Sequence, residues 1–403
     1  MKYSKEEVIQ FTQEEDVKFI RLGFCDVFGK QKNISIMPDE LPRAFKYGIA
    51  FDASATAGFG DETHSDLLLH PEPETLMPLP WRPEHGRVVQ MFSGITYPDG
   101  TPFVGDTRNI LKMAIAKAEN AGFEFTFGAE QEFYLFRLDE NGDPTDVPCD
   151  RAGYMDIAPE DRGENVRREI CLTLEKMGIY PESSHHEEGP GQNEIDFRYS
   201  DALTAADNAM MFQRVVRTVA QQNGFKADFS AKPLKNSPGN GFHINMSVKG
   251  EFDDSVFHKM IAGILKNAEV MTMFLNPSEN SYARLGMNKA PAYITWSAEN
   301  RSQLVRIPAA VGEFRRAELR SPDPMANPYL AFALMIHAAL DGIENDPDLP
   351  APADINLYKA SPDVLAKYKR LPGSYEDACR IACGSDFIKS IIPQEILAIY
   401  CDR

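Results

Sequence analysis

Apolar residues along the chain recur with two spacings, about 3.6 and 2, and each switch between them marks a predicted element. Val8 and Phe11, set among charged neighbours, predict a short helix over 4–17. VKFIRLGFCDVFGKQKNISI alternates and is interrupted at Gly29, which predicts two strands about a turn. The proline-rich run HPEPETLMPLPWRPEHG (70–86) predicts an extended surface connection, because proline donates no ladder hydrogen bond. VVQMFSGITYPDG (88–100) predicts a strand entering a turn, where a small N-terminal domain (1–100) gives way to a larger one (101–403).

From TRNILKMAIAKAENAG the period is helical until Gly122. FEFTFGAEQEFYLFRL predicts an alternating hairpin, and ENVRREICLTLEKMG a helix starting near Asp161 or Gly163. AADNAMMFQRVVRTVAQQNG predicts a further helix, GFHINMSVKG a strand, PDPMANPYLAFALMIHAALDGI a buried helix, and the tail helical pieces. No GxGxxG follows the first strand, so a doubly wound nucleotide fold is disfavoured, and the order of elements reads as α+β with long antiparallel strands.

Two domains also follow from 403 residues, more than one core usually serves. Forty-two basic against 60 acidic residues give a formal charge of -18, which disfavours a nucleic-acid surface. Six cysteines without metal-type spacing (Cys25, Cys149, Cys171, Cys379, Cys383, Cys401) predict reduced thiols. A charged N-terminal stretch with no apolar core, and no later span of membrane length, predict a cytoplasmic protein.

Acidic residues recur in short periodic strings. In AEQEFYLF, Glu130 and Glu132 share one face of a strand, where two adjacent carboxylates call for a cation or a proton; a solvated strand edge fits the same pattern. HHEEGPGQNEIDF sets Glu187 and Glu194 about a glycine-proline turn, and oxygen-rich ligands suit magnesium or manganese better than zinc. In GNGFHINMS, His243, Asn245 and Ser247 share a face behind Gly239 and Gly241, an arrangement that also fits an ordinary hairpin. In RRAELR, Arg316, Glu318 and Arg320 share a face, suited to phosphoryl oxygens and a metal or equally to an ion-pair ladder. Arg284, Arg301 and Arg306 supply further positive charge.

Taken in order, these strings, with GFCDVFGK, FDAS, YPDGTPFVGDTRNIL, NSYARL and APAYITWSAENRSQLVRIP, resemble the glutamine synthetase family over roughly nine tenths of the chain. The resemblance implies a small N-terminal β-grasp-like domain, a large catalytic domain with a curved antiparallel sheet and helices, and a dodecamer of two hexameric rings. It implies ATP-dependent ligation of ammonia to the side-chain carboxylate of glutamate through a γ-glutamyl phosphate, with two or three Mg2+ or Mn2+ ions per site. Glu132, Glu187 and Glu194 are implied around one ion, and Glu130, His243 and Glu318 around the second. Asp52, from a neighbouring subunit, is implied to bind and deprotonate ammonium, and Arg284, Arg301 and Arg320 to serve glutamate and its phosphorylated form. Gly239 is implied to contact glutamate, Ser247, Arg306 and Arg316 to lie near the nucleotide, and Tyr358 to match a tyrosine adenylylated in some members.

The chain departs from the family at one segment above all. Where the family reads Gly-Tyr-Glu-Ala-Pro, it has Met287, Asn288, Lys289, Ala290 and Pro291. A protonated lysine repels ammonium and cannot accept its proton, which opens three readings: glutamine synthesis, a γ-glutamyl ligase using another amine or acid, or a homologue with little catalysis.

Overall fold

The computed structural model describes residues 3–82, 85–250, 254–310 and 315–402. Helix α1 (Lys5–Glu14) starts at a capping box, with the Ser4 side chain accepting from the Glu7 amide and the Glu7 carboxylate from the Ser4 amide. It precedes β1 (Val17–Cys25) and β2 (Gln31–Ile36), an antiparallel pair turned at Gly29, whose φ of +78° suits glycine. Then come α2 (Leu41–Tyr47), β3 (Ile49–Asp52), β4 (Asp66–Pro71), β5 (Met77–Pro78) and β6 (Arg87–Thr96). They form a sheet in the order β2-β1-β6-β4-β3, with β5 added to β6 and the β1–β6 pair parallel.

The proline-rich run is more ordered than its composition suggests. It carries a 3-10 turn (Pro73–Thr75) and β5, because Pro78 needs no N–H at an end position of a two-residue strand.

The larger part opens with α3 (Thr107–Asn120), N-capped by Asp106. FEFTFGAEQEFYLFRL is not a hairpin but one fourteen-residue strand, β7 (Phe125–Leu138). Gly128 stays extended within it, opposite Asn245 in the antiparallel register. Around β7 lie β8 (Pro144–Pro148), β10 (Gln192–Phe197), β11 (Ser200–Asp201), β12 (Phe225–Asp228) and β13 (Phe242–Val248), all antiparallel to it; β9 (Pro181–His186) pairs with β10. Beyond β13 the order continues through β16 (Ala317–Leu319), β15 (Val305–Ile307) and β14 (Trp296–Ala298).

One face of this sheet is closed by helices. Among them α4 (Glu164–Lys176) packs on α5 (Ala202–Gln222), and α5 packs on β7. Phe133 and Phe212 meet at 6.1 Å between sheet and helix, and Phe127 stacks on Phe332 at 4.5 Å. Helix α6 (Asp254–Leu275) crosses α8 (Pro328–Asn345), beyond the short α7 (Glu279–Tyr282), at Gly263 and Gly342; a Cβ on either would come within 2.0 Å of a carbonyl oxygen of the other helix. The tail is helical, as its pattern predicts. The expectation of reduced thiols is corrected at one pair: Cys383 and Cys401, eighteen residues apart, are joined as a disulfide because the last helices fold back on each other. Among the described residues no helix is long and apolar enough to cross a membrane.

Candidate active site

Strand register builds the site. In β7, Gln131 and Phe133 point into the helix layer and are fully buried, so Glu130 and Glu132 take the opposite face. Glu194 lies across from Glu132, Asp196 and His243 across from Glu130, and Glu318 across from both Asn245 and Arg306. A pocket of about 330 Å³ opens over this face, lined by Glu130, Glu132, Glu187, Glu194, Asp196 and His243, with Arg284, Arg301, Arg306, Arg316 and Arg320 as basic wall. The solvated-edge alternative for Glu130 and Glu132 is thereby removed: β7 is the most heavily paired strand of its sheet.

Two sets of donor atoms lie within 4.8 Å of one another: Glu130, Glu194 and His243; and His185, Glu187 and Glu194. Nδ1 of His243 is 3.5 Å from Glu130 and 3.8 Å from Glu318, and its Nε2 is 3.9 Å from Glu132. Glu194 thus stands in both sets. Glu318 is engaged differently, its two oxygens held by Arg306 and Arg320. Glu132 accepts from the Gly241 amide at 2.9 Å and from Gln192 at 2.8 Å.

A third buried set, Asp150, Asp161 and His186, works as scaffold. His186 bonds Asp150 at 3.0 Å and the Glu187 carbonyl at 2.6 Å, Asp150 also accepts from the Gly191 amide, and Asp161 pairs with Arg167. This fixes the turn that carries Glu187.

The acids oppose one another electrostatically. Burial, then the charges of Asp196, Glu132, Glu130 and Glu187, pushes Glu194 well above the carboxylate range, and burial with Glu130 carries Asp196 up to about 7. Burial also acts to raise Glu130, but hydrogen bonds from His243 and Asn245 and the charges of His243 and Arg320 prevail and hold it at about 2. A chamber where some carboxylates resist ionisation beside others already ionised is relieved by multivalent cations, and its donors are carboxylate oxygens with imidazole nitrogens beside them. The residues therefore fit divalent metal ions.

Arg284 is buried and donates to the Ser321 carbonyl at 2.7 Å, behind Gly239, where a Cβ would strike the Ala231 carbonyl at 2.3 Å. Arg316 donates through Nε to Asn245 at 3.0 Å, and Asn245 donates to Glu130 at 2.7 Å. Lys289 sits at the pocket mouth with φ +69°, paired with Glu188 and 5.3 Å from the ring centre of Tyr154, whose edge meets His185. Two expected residues lie apart. Ser247 lines a neighbouring recess and donates to the Arg315 carbonyl at 2.8 Å. Asp52 ends β3, exposed, accepting from the Ser54 amide at 2.9 Å, and does not line the pocket of its own chain.

The family model of the glutamine synthetase catalytic domain matches residues 104–403, and that of the glutamine synthetase beta-Grasp domain residues 16–98. The chain belongs to the glutamine synthetase family. Its relatives include the glutamine synthetase of Clostridium saccharobutylicum, 46% identical over 370 residues (89% of this chain, 84% of that one). That of Methanosarcina mazei is 42% identical over 414 residues, covering 98% and 92%. Among solved structures, a GmaS/ADP complex superposes with a TM-score of 0.88 at 29% identity, covering 98% of this chain and 94% of that one. Plasmodium falciparum glutamine synthetase superposes at 0.87 and 21% identity over 100% and 95%, a likeness of fold. As a glutamine synthetase family member the chain is an ATP-dependent ligase, with an N-terminal β-grasp domain and a catalytic domain.

Within this glutamine synthetase fold Asp196 and Tyr154 escaped the sequence reading, and His185, Glu188 and Gln192 lay in the string HHEEGPGQNEIDF without a role of their own. Gln192 and Asp196 were within reach, since they flank Glu194 at i−2 and i+2 on one strand face. Tyr154 lies in an irregular stretch and carried no such signal.

Proposed function

We propose that the protein makes glutamine from glutamate, ammonia and ATP, by transfer of the ATP γ-phosphoryl group to the glutamate side chain and attack of ammonia on the activated carbonyl, with release of phosphate. The observation that carries this reading is the convergence of Glu130, Glu132, Glu187, Glu194 and His243 on one pocket walled by five arginines. The two donor sets that share Glu194 would hold divalent ions, Mg2+ or Mn2+, whose charge would neutralise phosphoryl oxygens. Arg320 and Arg306, lodged against Glu318, keep guanidinium charge facing the phosphate path, and Arg284 and Arg301 face the glutamate carboxylates. Gly239 lines the pocket where glutamate binds, and Ser247 and Arg316 border the nucleotide.

Asp52 completes the site from a neighbouring subunit in a dodecamer of two hexameric rings, a reading supported by its exposed position away from its own chain's pocket. The domains divide near residue 100, and the protein works in the cytoplasm. Tyr358, its hydroxyl 3.4 Å from the Arg301 carbonyl, is a candidate for adenylylation.

A second reading has an observation of its own. Lys289 places an ammonium group at the pocket mouth, which favours a γ-glutamyl ligase taking a different amine. Phosphate release with glutamate, Mg2+ and ATP, measured across ammonium and a panel of alkylamines, separates the two. Turnover with ammonium at least matching every alkylamine supports glutamine synthesis, and turnover confined to an alkylamine replaces it.

A further inference from the structure

Outside the lining of the acidic pocket, three arginines lie where the N-terminal sheet faces α5. Arg21 on β1 stands opposite Gln90 on β6 in the parallel register. Arg214 on α5 donates to the Gln90 side chain and stacks 5.6 Å from the ring centre of Trp81, and Arg82 follows Trp81 directly. Among the described residues no carboxylate pairs with any of the three. The Arg21 Nε is buried without a hydrogen-bond partner.

Clustered guanidiniums without counter-ions repel one another. Burial, then the charges of Arg21 and Arg82, drives Arg214 down to about 10, and Arg21 is lowered by burial and by Arg82. Arg214 also borders a cavity of about 850 Å³ whose lining includes Lys30, Lys32 and Arg217; its one acid, Asp26, accepts from the Phe28 and Lys30 amides. Arg21 and Arg214 are partly buried and Arg82 is exposed; partly buried guanidiniums without a counter-ion are costly, and an oxyanion that accepts their donors relieves that cost.

We propose that Arg21, Arg82 and Arg214 form a second anion site, distinct from the acidic pocket, for a small polyvalent oxyanion: a di- or tricarboxylate or a phosphate. A long polyanion is disfavoured by the net charge of -18. The site adjoins the catalytic sheet, since Gln213, next to Arg214, donates to Gln131 at 2.9 Å, and Gln131 lies between Glu130 and Glu132 in β7.

The chain has two tryptophans, so Trp296→Phe leaves Trp81 as a single reporter beside Arg214. In that background, succinate, citrate and inorganic phosphate are titrated at constant ionic strength and Trp81 emission is followed. We expect a saturable change that chloride does not reproduce, weakened about tenfold or more by Arg21→Met and by Arg82→Met, both outside the catalytic pocket. The order of the three anions distinguishes a carboxylate site from a phosphate site. Circular dichroism melts confirm that each variant is folded. An emission change that chloride reproduces, or that survives both folded variants, overturns the proposal.

Discussion

Replacing Lys289 tests the least expected residue of the pocket. Its side chain is 47% exposed and its partner Glu188 37%, so the ion pair contributes little to stability and the substitutions act on the pocket's field. The Lys289 nitrogen lies 5.3 Å from the Tyr154 ring centre. For a cation about 6 Å away at an effective dielectric of about 40–80, one unit charge is worth about 0.7–1.4 kcal/mol. Lys289→Met therefore lowers KM for ammonium about three- to tenfold, and Lys289→Glu, a change of two charges, about ten- to a hundredfold. Both values shrink as salt is added. The assay is phosphate release at saturating ATP and glutamate over a range of ammonium, at low and high ionic strength. KM for ammonium unchanged in both variants would refute the reasoning and show that Lys289 does not set the field at the amine position.

Other outcomes follow from the same geometry. Chelation with EDTA should abolish phosphate release, and Mg2+ or Mn2+ should restore it; turnover that persists in chelator would exclude divalent ions from the site. Asp196 has its carboxyl carried from 3.8 to about 7, so the folded state holds that proton more tightly than the unfolded chain. Its contribution to metal-free stability is accordingly lost as pH rises from about 4 to about 7. Comparing melting temperatures across that window, Asp196→Asn should flatten the decline, and an identical slope in both proteins would contradict the assignment. Gly263→Ala should destabilise by about 1–3 kcal/mol or more, because the added methyl meets the Ala338 carbonyl; an unshifted thermal melt would disprove the tight crossing.

Much of the fold was legible because helices and strands announced themselves by period: α5, α8, β6 and β13 lie where their patterns predict. The hairpin expectation failed at β7 because the alternation runs through Phe125–Leu138 and one long strand carries the same period as two short ones. The proline run misled in the other direction, since a two-residue strand tolerates proline at its end. In the site, alternation was enough to put Glu130 and Glu132 on one face and His243 with Asn245 on another, whereas Glu194 was singled out from an oxygen-rich turn and lies on a regular strand. Lys289 and Tyr154 meet across 135 residues through loop conformation, which no local spacing encodes. For Glu318 the ion-pair alternative was legible in RRAELR: Arg320 at i+2 grips it, and only its second partner, Arg306 of another strand, lay beyond local spacing.

Among the described residues five strands hydrogen-bond to β7, and that ladder positions Glu130, Glu132, Glu194 and Asp196 of the pocket. Strand register changes only in whole steps, and a single step would turn Glu130 and Glu132 inward among the phenylalanines. The pocket therefore has no gradual way to loosen: partial melting of the sheet should silence individual molecules outright, leaving the survivors with unaltered affinity for their substrates.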